Sequence, residues 1–437
     1  MVAGTKNKSR ERKMVALGLV LESVMLLSIA TSCAAKTAAV DIQALQQIKS
    51  SIDPSTLHSS SCLGSWDFSH DPCDATSSTS FVCGIRCDEE LQEEGASTRP
   101  PRRVTSIVLD GYGYRGFLSP FVGNLSALQA LDVSGNALSG ALPASLGKLA
   151  RLRRLDVSGN AFSGGIPESL GELRSLEHLG LARNALSGTI PASLSRLSSL
   201  RRLDLYSNLL SGELPIAMPA MSSLLYLDAS SNRITGPFPG RLPPSLVRLS
   251  LRDNRLSGQL PSNLGDMAAL EVLDVSRNAL WGALPDSIFL HPSLQQVNVA
   301  GNAFQWIQTP GLAAMPLVVL GSKMVALDAS HNRLRGPLPP FLAELPRLSS
   351  LSLTGNMLGG TIPLQYAIKA VESAVGIQPL RRLFLDGNLL VGALPFPFLT
   401  WSPSATLISA SFANNCLHSC PPSLPFCGAQ RPATQCS

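Results

Sequence analysis

Apolar residues recur on two periods along this chain. Within short stretches they alternate. In LRRLDVSGN (152–160), Leu155 and Val157 point one way while Asp156 and Ser158 point the other, the period of a strand. Over longer distances the stretch repeats: LRRLDVSGNAFSGGIPESLGEL (152–173) is followed by LEHLGLARNALSGTIPASLSRL (176–197). An Asn marks each unit, at 136, 160, 184, 208, 232, 254, 278, 302, 332, 356 and 388. The usual spacing is 24, with one each of 22, 30 and 32. An earlier unit puts Tyr112 in the Asn place, and a half-unit ends at Asn415, so about twelve coils are predicted.

Each repeated position has a physical task. The apolar strand pair faces the core and the polar pair faces solvent. The Asn, with donors and an acceptor on a short side chain, satisfies buried backbone groups of neighbouring coils, and stacked Asn residues form a ladder. The motif [L/F/I]-x-G-x-x-P follows ten of the Asn residues. Gly permits the bend, and Pro fixes φ while donating nothing. The apolar residues of SLGxLxxL fill the outer side. One unit cannot bury its own apolar face, so neighbours stack and their strands form one parallel sheet on the inner wall. At about 4.8 Å per strand the wall is on the order of 55 Å long. The fold class is an α/β repeat solenoid whose two raw ends need caps.

Two units depart from the pattern. AFQWIQTPGLAAMPLVVLGSKM fills the spacing of 30, and QYAIKAVESAVG, which reads as an amphipathic helix, lengthens the spacing of 32. Both are expected to be local distortions.

Cysteine usage and charge narrow the class. Residues 1–34 read as a secretory signal: a basic stretch (KNKSRERK), an apolar run and small residues. Retained as an uncleaved anchor, the segment would still leave the rest of the chain outside. Cys33 falls in this segment. The other eight cysteines form two groups, Cys62, Cys73, Cys83 and Cys87, then Cys416, Cys420, Cys427 and Cys436. In an exported chain this implies disulfides rather than zinc, with three possible pairings in each group. The formal charge is +5, but Lys6, Lys8, Arg10, Arg12 and Lys13, less Glu11 and Glu22, put +3 of it in the signal. The near-neutral remainder argues against nucleic acid.

At this point the residues carry a resemblance. LxxLxxLxLxxNxLxGxIPxxLGxL resembles the plant-specific leucine-rich repeat. DIQALQQIKSSIDP with SWDFSHDPC and FVCGIRC resembles the N-terminal cap of plant leucine-rich-repeat receptors, and FANNCLHSCPPSLPFCGAQRPATQCS their C-terminal cap. The resemblance covers roughly residues 39–437, and with the signal already read over 1–34 the expected organisation is an N-terminal cysteine cap over 39–103, repeats over 104–411 and a C-terminal cysteine cap over 412–437. It implies a recognition protein, binding a peptide or protein ligand or a partner receptor on the concave face, without a kinase of its own. The repeats and paired caps are also similar to polygalacturonase-inhibiting proteins, so the alternative is an inhibitor of a microbial cell-wall hydrolase. Secretion to the apoplast or cell wall is expected.

The inner wall supplies the candidate site. Its middle column is acidic, with Asp132, Asp156, Asp204, Asp228, Asp274 and Asp328 recurring by repetition rather than converging on a pocket. No catalytic constellation stands out, the six His are scattered, and no enzyme activity, metal or cofactor is expected. In the third to seventh coils Arg154, His178, Arg202, Tyr206, Tyr226, Arg248 and Arg252 are expected to cluster on the concave face. Arg forks bind carboxylates, sulfates or phosphates, and Tyr adds flat contact area. The competing role is a solvated face whose Arg residues neutralise neighbouring Asp. Asn124-Leu-Ser126 is a glycosylation sequon on a coil connection.

Overall fold

The computed structural model describes residues 37–74, 80–88, 100–311, 321–371, 378–400, 409–421 and 423–436. The secretory-signal assignment, with Cys33, lies outside them, as do residues 312–320 and 372–377 of the two irregular units.

The inner wall is one sheet of fourteen described strands. Thirteen run parallel, one from each of twelve coils and one from a last partial coil at Ser409–Ser411. The fourteenth, Ile85–Cys87, belongs to the N-terminal end and pairs antiparallel with Val104–Val108. Coils are numbered here by their wall strands, from coil 1 (Val104–Val108) to coil 12 (Arg382–Phe384). The register never slips between coils 1 and 12: each Leu-type residue opposes its counterpart, as Leu203 opposes Leu179 and Leu227. The buried leucines of all coils join one continuous core.

The Asn ladder accounts for that register. Nδ2 of Asn208 donates to its own coil's Leu205 O at 3.0 Å and to the previous coil's Leu181 O at 3.0 Å, and Oδ1 accepts from Leu186 N at 3.0 Å. The same bonds recur at every marked Asn through Asn415, where Asn415 closes the array. Coil 1 is the exception. Tyr112 stands in the Asn place but is exposed, because a phenol is too large for that slot. Buried Tyr114 turns inward instead and hydrogen-bonds Leu63 N and Asp110. The residue before each ladder Asn takes left-handed backbone, whether it is Gly159 (φ 66°) or non-glycine residues such as Ser207 (φ 55°) and Asp253 (φ 56°).

The Gly-Pro motif does more than bend. Its first residues form a second parallel sheet on the flank, in three runs of six, three and four strands. The runs break where the Asn spacing is 22 and where it is 30 but continue across the spacing of 32, and the wall sheet is unbroken through all three. On the outer side the repeats form short 3-10 turns such as Ala144–Lys148 and Glu168–Glu172, since SLGxL is too short to sustain an α-helix. Described α-helices occur in the N-terminal end and in coils 10 to 12. The long unit forms the helix Leu364–Val371, which buries Tyr366, Ala367, Lys369 and Ala370.

Both ends are closed. The helix Ala39–Ser50 packs Ala44, Leu45 and Ile48 against coil 1. Its fully buried Asp41 accepts Arg103 Nε at 3.0 Å, Arg103 Nη2 at 2.9 Å and Val104 N at 2.9 Å, tying helix to solenoid. Disulfides Cys62–Cys83 and Cys73–Cys87 secure this end, and Cys416–Cys436 and Cys420–Cys427 the other. There Phe398, Phe412 and Phe426 meet with centroids 5.1–5.9 Å apart over the last coil. No described helix is long and apolar enough to cross a membrane.

Candidate functional site

Strand alternation aims one residue per coil into the concavity just before the buried leucine. The parallel register places Arg154, His178, Arg202, Tyr226 and Arg248 side by side on five consecutive strands. Four strand steps of about 4.8 Å make this row about 19 Å long. Tyr206 and Arg252 lie further along, past the second buried residue, where the chain leaves the wall. Tyr206 stacks there under Arg183, whose guanidinium carbon is 5.6 Å from the ring centroid.

The row is not uniform electrostatically. Arg154 bridges Asp132 at 3.3 Å and Asp156 at 3.0 Å. Arg202 Nε donates to Asp204 at 2.6 Å, and that bond holds the guanidinium still more basic than usual. These contacts match the neutralising role set out for the acidic column. His178 Nε2 stands 3.4 Å from Asp156 Oδ2 without a hydrogen-bond partner of its own. Burial pushes the Asp156 carboxyl up, but the His178 ring and the Ser158 donors outweigh it and hold it below the ordinary carboxylate range. Gly180 is the gap in the acidic column that makes room: a Cβ there would stand 2.6 Å from Asp156 Oδ1. Arg248 differs from both arginines. It makes no ion pair among the described residues and lies over Tyr226, 6.0 Å from the centroid.

Arg202, Tyr226 and Arg248 border a hollow of about 310 Å³ floored by Leu227 and Leu249. A larger hollow, about 450 Å³, follows in coils 8 to 12, lined by Val272, Gln296, Asn298, Ala326, Arg382 and Phe384 among others. Reading the sequence for charge missed this second hollow. Its signal was the run of short side chains, Val272, Ala326 and Ser350, at positions held upstream by Arg and Tyr.

The acidic column has a local task that sequence reasoning also missed. Asp132 Oδ1 accepts from Ser134 N at 3.1 Å and Ser134 Oγ at 2.7 Å. Asp228 and Asp274 do the same with Ser230 and Ser276. Asp156 and Asp328 likewise accept from Ser158 N and Ser330 N, so five of the six pin the turn that follows their strand, an Asx arrangement readable in D-x-S, while Asp204, with Tyr206 in the Ser place, pairs with Arg202 instead. The carboxylates are fixed to their own coils and do not converge.

Comparison with known proteins agrees with this architecture. Residues 38–88 match the leucine-rich-repeat N-terminal domain, residues 116–235 the leucine-rich repeat region and residues 245–267 the leucine-rich repeat. The chain is a leucine-rich-repeat protein, and the curated relatives it matches are plant receptor-like proteins. A putative receptor-like protein kinase of Arabidopsis thaliana is 33% identical over 130 residues, covering 28% of this chain and 11% of the kinase. Receptor-like protein 35 of the same plant is 34% identical over 136 residues, covering 27% and 14%. The solved plant peptide hormone receptor RGFR1, in complex with RGF2, is 29% identical with a TM-score of 0.62, covering 72% of this chain and 47% of the receptor. The leucine-rich-repeat chain thus spans under half of the solved receptor and a small part of the two curated relatives.

Proposed function

We propose that this leucine-rich-repeat protein is an extracellular recognition protein whose concave wall holds a peptide or protein ligand, or a partner receptor, in signalling or defence. The observation that carries this is the in-register row from Arg154 to Arg248, five adjacent strands presenting cationic and aromatic side chains beside a preformed hollow. Arg248, without an ion pair among the described residues, is the guanidinium best placed to take a ligand carboxylate, sulfate or phosphate. The relatives support the reading: RGFR1 is a peptide hormone receptor, and Receptor-like protein 35 is receptor-like by name. Residues 1–34 direct the chain to the export route, where the four disulfides form and Asn124 receives a glycan. Asn124 is exposed at the end of the 3-10 turn Pro120–Asn124, away from the concavity.

Affinity capture from plant tissue, using tagged wild type and R202E/R248E with mass spectrometry of what is retained, tests this. A partner held by the wild type and lost from the variant is expected. A peptide, a receptor ectodomain or a fungal polygalacturonase among the retained species selects the branch, and an inhibition assay with the purified chain confirms the last. Equal recovery by both proteins would place recognition elsewhere.

A further inference from the structure

The flank sheet carries two exposed indoles that the repeat does not require. Three residues after the ladder Asn stand Ser139, Ser163, Ser187, Ser211 and Ser257 in five coils, and in coil 8 Trp281 takes that place. One coil later Trp306 interrupts the Gly-Pro motif. The strands Ala279–Leu284 and Ala303–Ile307 pair in parallel, with a bulge after Gly282 that sets Ala283 opposite Trp306. Alternation puts Trp281 and Ala283 on one side, and the bulge brings Trp306 to that side as well. Leu280, Leu284 and Phe304 point into the core, while the indoles are 47% and 50% exposed. One strand step and a two-residue offset separate their Cα atoms by about 8 Å.

The surroundings are amides. Gln259, Gln305 and Gln308 are exposed and their side chains have no hydrogen-bond partner among the described residues. Gln259 lies across Gly282, its Cγ 3.0 Å from where a Cβ would stand, beside the Trp281 strand. We infer that this face binds consecutive pyranose rings of an oligosaccharide. A pyranose offers an apolar C–H face, which stacks on an indole, and a rim of hydroxyls that both donate and accept. A primary amide answers such a rim with two donors and an acceptor and no charge. A protein partner would need a contiguous apolar area or a central pocket for its anchors. Here two indoles stand on a three-stranded sheet, separated by small residues and edged by polar ones. The inference is independent of the concave site, which opens on the other sheet.

The test is a titration of the full chain with cellohexaose, xylohexaose and mannohexaose, read by tryptophan fluorescence and by calorimetry. Wild type, W281S, W306S and the double variant are compared. Ser already fills the Trp281 row in five coils, so W281S should melt with the wild type. A saturable emission change with at least one hexasaccharide is expected, at least tenfold weaker in each single variant and absent in the double. No saturable change with any of the three sugars, or binding that survives in the double variant, overturns the inference. Gel filtration supplies the rival outcome: a dimer that the double variant dissociates would make the face a contact between copies and sink the sugar site.

Discussion

The two halves of the concave wall have the same backbone and different contents. Coils 3 to 7 project Arg154, His178, Arg202, Tyr226 and Arg248, whereas coils 8 to 11 project Val272, Gln296, Ala326 and Ser350 at the equivalent positions. The upstream half is filled and cationic around a hollow of about 310 Å³, and the downstream half is open, about 450 Å³, closed at its far side by Arg382 and Phe384. Leucine positions, ladder Asn and left-handed turn residues are alike in both. The difference teaches that the repeat separates scaffold positions from variable wall positions, and the proposed function places recognition on the latter. On that proposal a substitution on the wall should change what is bound, and one in the ladder should change whether the wall exists.

The largest expected effect tests the sameness of the scaffold. Asn208→Ala upstream and Asn356→Ala downstream each remove the one acceptor of a backbone N–H and the two N–H donors shared among three backbone carbonyls. Each should lose about 3–4 kcal/mol by denaturant unfolding, since every buried polar group left unpaired costs about 1–3 kcal/mol. A large inequality between them would break the comparison.

Next comes the difference in contents. R202E/R248E should weaken the captured partner about a hundredfold, or about 2.7 kcal/mol, by surface plasmon resonance, whereas S139E on the flank should change affinity less than twofold. Equal losses would mean that charge anywhere on the molecule suffices.

A third effect belongs to the downstream half alone. Lys369 in the inserted helix is buried against Leu345 O, and desolvation lowers its amine from 10.5 to about 8. Between pH 8 and 10.5 the unfolded chain binds the proton that the folded chain has released, so stability should rise with pH across that window. The gain is roughly 2–3 kcal/mol, read as a rising unfolding midpoint that K369M abolishes. A flat wild-type profile would contradict the burial. The smallest effect is upstream: Ser207→Gly, at φ 55°, relieves left-handed strain and should gain about 0.5 kcal/mol after the entropy that glycine adds to the unfolded chain.

Repetition made the wall legible. The spacing of 24, the strand alternation and the Asn ladder recur often enough that each coil repeats the argument for the next. The cysteine groups marked both ends, but their pairings depend on geometry that spacing does not encode. Features made by one residue on another's behalf were harder. Asp41 and Arg103 stand 62 residues apart with no pattern joining them. The flank sheet hid inside a motif read as a bend, although its x-G alternation is strand-like. D-x-S looked like an acidic surface because its hydrogen bonds are local. Among the candidate residues, Arg202, Tyr226 and Arg248 meet at one hollow, Arg154 and His178 engage Asp156 beside it, and Tyr206 and Arg252 lie past the wall strand. The downstream hollow escaped notice because it is defined by small side chains, and charge-based reading follows large ones.

The central claim is that recognition uses the inner wall. It is tested most directly by measuring the captured partner's affinity for three variants that share the wild-type melting temperature: R202E/R248E upstream, A326W filling the downstream hollow, and K148E on the outer turns. Loss with the first two and no change with the third is predicted. Unchanged binding to both wall variants, or loss confined to K148E, would contradict the account.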